Sequence, residues 1–101
     1  MKQFEDYLDN IEYPKSKSSW NISGIIKGQN GFYKFDTRPL KNNTKTGSFK
    51  TKADKIVFEY DNKFIILDVE ELHKYLKENS LKIVKIEDII SKLDWNITLQ
   101  K

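Results

Sequence analysis

Apolar positions recur along this chain at two periods. Phe4, Tyr7, Leu8 and Ile11 fall at i, i+3, i+4 and i+7, which predicts a short amphipathic helix over residues 2–12, ended by Pro14. Trp20, Ile22 and Ile26 then share one face of an extended run, with Gly24 between them marking a bulge or a close backbone approach. Gly28-Gln29-Asn30-Gly31 reads as a turn, and Phe32 to Phe35 returns as the second strand of a first hairpin.

Residues 36–54 show no usable period, are rich in Lys, Thr and Asn, and are broken by Pro39 and Gly47. They are expected to form a long basic, mobile loop within the domain. Two β-branched and aromatic runs follow, Lys55 to Tyr60 and Lys63 to Leu67, joined by Asp61-Asn62. That turn sets Phe58 opposite Ile65 and Ile56 opposite Leu67 on one face, with Lys55 opposite Asp68 on the other. Asp68 has the position of a helix N-cap and Glu71 completes a capping box, ahead of the apolar stripe Leu72, Tyr75 and Leu76. Leu81 to Lys85 reads as extended, Ile86, Ile89, Ile90 and Leu93 as a last helix, and Trp95, Ile97 and Leu99 as a closing strand.

These elements predict an α+β fold: a mainly antiparallel four- or five-stranded sheet, built from two hairpins plus a C-terminal strand, with three short helices largely on one face. The core expected from this pattern includes Trp20, Ile22, Ile26, Phe35, Ile56, Phe58, Ile65, Leu67, Leu72, Ile83, Ile86 and Trp95.

A length of 101 residues with 38% hydrophobic and 33% charged side chains predicts one soluble domain, residues 1–101. There is no cysteine, which removes disulfides, thiolate zinc sites and cysteine nucleophiles. No apolar leader and no membrane-length run is present, so the expectation is a cytoplasmic protein without a membrane partner. Lys, Ile and Asn contribute 17, 12 and 8 residues against a single Arg, a bias that points to an AT-rich bacterium, phage or mobile element.

Charge is sorted by position. Between Lys15 and Lys55 ten basic side chains face only two acids, Asp36 and Asp54, while both ends of the chain are net acidic. A basic middle interleaved with aromatics suits a phosphate-tracking surface with stacking platforms. The residues expected to carry it are Lys27, Lys34, Arg38, Lys41, Lys45, Lys50, Lys52 and Lys55, with Tyr33 and Phe49. Lysines contact phosphates as point charges, so recognition would be largely independent of sequence. The expected partner is nucleic acid or an acidic protein surface. The runner-up function is a phage or mobile-element accessory protein that binds and inhibits a host protein, of the anti-restriction or anti-CRISPR type.

An enzymatic alternative rests on the order of elements. Asp54 at a strand start, Asp68-Val69-Glu70 at the end of the next strand, then a helix and a strand, resemble the layout of PD-(D/E)XK nucleases. That resemblance implies two carboxylates holding Mg²⁺ and a third polar residue orienting water, with Asp54, Asp68 and Glu70 as the candidates. Glu70 stands where the motif has Lys, and the hairpin register sets Asp54 on the face opposite Asp68. No cofactor or resident metal is expected. His73, the lone histidine, excludes a histidine-based metal cluster.

Overall fold

The computed structural model describes residues 3–39, 44–45 and 49–101, with backbone alone at 44–45. Among them six strands form one curled sheet in the order β1 (Leu8–Glu12), β2 (Ile22–Ile26), β3 (Phe32–Pro39), β5 (Lys55–Glu59), β6 (Lys63–Asp68) and β8 (Asn96–Gln100). All neighbours are antiparallel except β3 and β5, which run parallel with Phe35 opposite Lys55. A two-stranded ribbon pairs β4 (Thr44–Lys45) with β7 (Ile83–Val84). The helices are α1 (Val69–Glu78) and the short α2 (Ile86–Ile89), which continues as a 3-10 turn over Ile90–Lys92.

The second hairpin has the expected register: Phe58 faces Ile65, Ile56 faces Leu67 and Lys55 faces Asp68. Both strands are buried on both faces. Ile56, Phe58, Ile65 and Leu67 pack under α1 and α2 with Phe49, whereas Val57, Phe64 and Ile66 join Phe4, Leu8, Ile22, Ile26 and Phe35 on the opposite, concave face. The sheet covers that second face by curling. Tyr33 on β3 and Trp95 at the start of β8 are three strand spacings apart, about 14 Å in a flat sheet, yet their ring centroids are 6.0 Å apart. The Tyr7 hydroxyl closes the curl by donating to the Gln100 carbonyl at the far edge (2.6 Å).

The predicted N-terminal helix is replaced by a 3-10 turn (Phe4–Tyr7) followed by β1. A 3-10 turn has three residues per turn, which brings Phe4 and Tyr7 to one side. Between the pairs Asp9–Ile25 and Glu12–Ser23, Asn10 and Ile11 oppose Gly24 alone, and Asn10 takes a positive φ of 54°. This bulge returns Ile11 to the face of Leu8, which an unbroken strand would not do at a separation of three. Together the two devices reproduce the i, i+3, i+4, i+7 spacing without a helix.

The segment expected as a loop is partly strand. Asp36–Pro39 continues β3 alongside β5, and Phe49 is fully buried against Phe58, their rings edge to face at 5.8 Å. Among expected core residues, Ile83 is exposed and its neighbour Val84 is buried instead, while Trp20 is half-buried. No helix among the described residues is long and apolar enough to cross a membrane.

Candidate nucleic-acid interface

β3 alternates faces. Tyr33 and Phe35 point into the concave core, so Phe32, Lys34, Asp36 and Arg38 lie on the helix side of the sheet. Beyond Asp36 and Arg38, which pair across to Ile56 and Phe58 beside the helices, Lys34 and Phe32 are exposed on the β2–β3 surface. Three segments remote in sequence meet there. The Lys34 ammonium lies 5.4 Å from the centroid of Trp20. The backbone N–H of Lys52 donates to Ser19 Oγ (2.7 Å), and that of Lys34 donates to Asp54 Oδ2 (2.9 Å). Arg38 Nη2 donates to the Lys50 carbonyl (3.2 Å) and bonds Asp36 Oδ2 (2.8 Å), so its charge is neutralised in place. Lys15, Lys17, Lys34, Lys50 and Lys52 are all exposed.

The other expected contact residues divide. Lys27 is exposed beside the β2–β3 turn. Lys41 lies outside the described residues, and Lys45 is described only as backbone in β4. Phe49 is a core side chain and offers no ring to a base. Tyr33 is half-buried, with its ring against Trp95 and Phe35.

Lys55 is withdrawn from the basic face altogether. It points into the concave mouth of the sheet and is 5% exposed, with Nζ 2.7 Å from Asp68 Oδ1, 3.8 Å from the Trp95 centroid and 4.4 Å from that of Tyr33. Two aromatic faces and a carboxylate satisfy a charge that would otherwise be costly to bury.

Asp54, Asp68 and Glu70 line one cleft of about 440 Å³ with Lys55 and His73. Asp54 precedes β5, so strand alternation does not place it on the far side as the hairpin register implied. Its Oδ2 accepts from Lys34, and both oxygens of Asp68 are engaged, Oδ1 by Lys55 and Oδ2 by the Glu71 backbone N–H (3.0 Å) that it caps. Glu71 does not complete the expected capping box. Its carboxylate accepts from the backbone N–H groups of Asp94 and Trp95, tying α1 to the start of β8. His73 Nε2 donates to the Phe49 carbonyl (2.7 Å), since a carbonyl only accepts. Among the described residues no three His, Cys, Asp or Glu side chains converge in a way that could hold a metal ion.

No protein-family model, curated protein or solved structure matches this chain.

Phe32 is one of the aromatics interleaved with the basic residues in the sequence, whereas Ser19 was not among the candidates. In Phe32-Tyr33-Lys34-Phe35 the two phenylalanines are three apart and so lie on opposite faces of the strand, of which only the Phe35 face is covered here. Ser19 carries no such signal, because its bond to Lys52 spans 33 residues.

Proposed function

We propose that the protein binds nucleic acid, largely without sequence preference, through the face carrying Lys17, Lys34, Lys50 and Lys52. The observation that carries this reading is the junction of Ser19 with Lys52 and of Trp20 with Lys34, which brings together the three segments that carry the exposed Lys17, Lys34, Lys50 and Lys52. Lysine ammonium groups neutralise phosphates and release counterions, a favourable term that needs no base contact. The one arginine, the side chain best suited to read guanine, is held by Asp36.

The test is binding of labelled single- and double-stranded oligonucleotides over a salt series. Log affinity should fall linearly with log salt, and replacing all four lysines with Gln should flatten the slope by up to about four charges' worth. Affinity without a salt slope, or an unchanged slope in the four-fold variant, would refute the reading.

A second reading, a protein partner, draws on a separate surface. A groove of about 650 Å³ runs along α1 and is lined by Asp68, Glu70, Glu71, Glu78 and Asp94 against Lys74 and Lys92. Its balance suits a basic protein segment, as an inhibitor of a host protein would use. Capture of a basic partner, lost on charge reversal at Glu70 and Glu78 and insensitive to the lysine variant, would favour it.

A further inference from the structure

We infer, resting on the nucleic-acid reading above, that the ligand is a single strand, with a base stacked on Phe32 and the adjoining backbone held at Lys34 beside Trp20. Phe32 is 45% exposed although it lies within a strand, and it shares its face with Lys34, two residues on and about 7 Å away. Trp20 adds a second ring, its centroid 5.4 Å from that ammonium. Ring, cation, ring is the arrangement that a single strand, with its unstacked bases, can use. In a duplex both faces of each base are already stacked, so an aromatic ring lying on a sheet has nothing to cover.

Two further features favour a single strand. A helix that enters a duplex groove meets phosphates on both sides, and the one helix of three turns among the described residues, α1, carries Glu70, Glu71 and Glu78 against Lys74 and Lys77. The path is also bounded. On the same face, Asp9 stands opposite Ile25, which faces Phe32, and Glu12 stands opposite Ser23, which faces Lys34. These carboxylates, two strands or about 10 Å away, repel a phosphate chain from β1. The strand therefore tracks β3 from Phe32 past Lys34 towards Lys50 and Lys52. Of the acids beside this path, Asp36 is paired with Arg38 and Asp54 has one oxygen turned to the Lys34 backbone.

The test compares a labelled oligothymidine with a duplex of equal length, using wild type, Phe32→Ala, Phe32→Leu, Trp20→Ala and the four-lysine variant. The single strand should bind more tightly. Phe32→Ala and Phe32→Leu should each weaken it by about 5- to 100-fold with the salt slope retained, since a lost stack removes no phosphate contact. Phe32→Leu keeps an apolar side chain at the position, so circular dichroism and melting close to wild type secure the interpretation if the alanine variants fold poorly. Equal affinity for duplex, or Phe32→Leu binding like wild type while the lysine variant still loses its salt slope, would overturn the single-strand proposal and leave the nucleic-acid reading standing. Absence of salt-dependent binding to either oligonucleotide would overturn both.

Discussion

Lys55 and Asp68 face each other across β5 and β6 with Nζ and Oδ1 2.7 Å apart, and the second oxygen of the same carboxylate caps α1. The pair is unequal: the Lys55 side chain is 6% exposed and that of Asp68 25%. Removing the carboxylate strands an ammonium in the core, whereas removing the ammonium leaves a carboxylate that still has water and a backbone N–H. Asp68→Ala should therefore cost about 3–5 kcal/mol, including the lost cap. Lys55→Met, which keeps the volume and sets a thioether against Tyr33 and Trp95, should stay within about 1.5 kcal/mol of wild type. Urea unfolding of both variants measures this. Lys55→Met should also bind oligonucleotides with an unchanged salt slope, because Lys55 is not on the basic face; a loss of about one charge from the slope would return it there.

What could be read from the sequence was local. The β5–β6 register followed from a two-residue turn, and the Asp68 cap from its place before an apolar stripe; both hold in the structure. The pairing of Lys55 with Asp68 was visible in that register, but its burial was not, because the covering rings of Tyr33 and Trp95 arrive only when the sheet curls. The same curl puts Val57, Phe64 and Ile66 in a second core where a flat sheet with helices on one side would expose them. The parallel pairing of β3 with β5 likewise joins strands that no local pattern in the sequence between them links. As for the candidate site, charge sorting singled out the lysines, while the contacts that join the segments carrying them, Ser19 to Lys52 and Trp20 to Lys34, are non-local.

The bulge in β1 leads to a prediction about Gly24. A Cβ there would lie 2.9 Å from the Asp9 carbonyl oxygen and 3.3 Å from Leu8 Cβ, a clash with backbone that rotamer changes cannot relieve. Gly24→Ala should destabilise by about 1–3 kcal/mol as the β1–β2 pairing shifts. Thermal melting measures it, and a variant as stable as wild type would show that the bulge can slide.

Ser19 positions Lys52 without touching the solvent-side charge. Ser19→Ala removes one hydrogen bond and should cost about 0.5–1.5 kcal/mol. Its effect on binding should be larger in proportion, because segment 50–54 then samples positions away from Trp20 and Lys34. A several-fold loss of oligonucleotide affinity is expected, with faster amide exchange at Lys52; unchanged exchange there would mean that the segment is held by its other contacts, Arg38 to the Lys50 carbonyl and Lys34 to Asp54.

Tyr60 contributes to how stability changes at alkaline pH. Its hydroxyl is buried without a hydrogen-bond partner, and burial first, then the nearby Glu87 carboxylate, hold its pKa above the ordinary phenol value. Below about pH 10 the folded and unfolded chains both keep this proton, and the contribution of the neutral ring to stability is complete. Above that, the unfolded chain releases the proton first while the folded chain still holds it, so stability falls as pH rises through the folded value. Tyr60→Phe abolishes that dependence and removes an unpaired hydroxyl from the interior. At neutral pH the variant should be at least as stable as wild type, by up to about 1 kcal/mol, and its advantage should widen with pH. Parallel urea titrations from neutral pH to above the phenol range, read as the difference between the two proteins so that the other tyrosines cancel, measure the effect. A difference that narrows with pH would mean that the Tyr60 phenolate is stabilised in the folded protein, by a cation such as Lys63, whose ammonium sits 4.9 Å from the ring centroid.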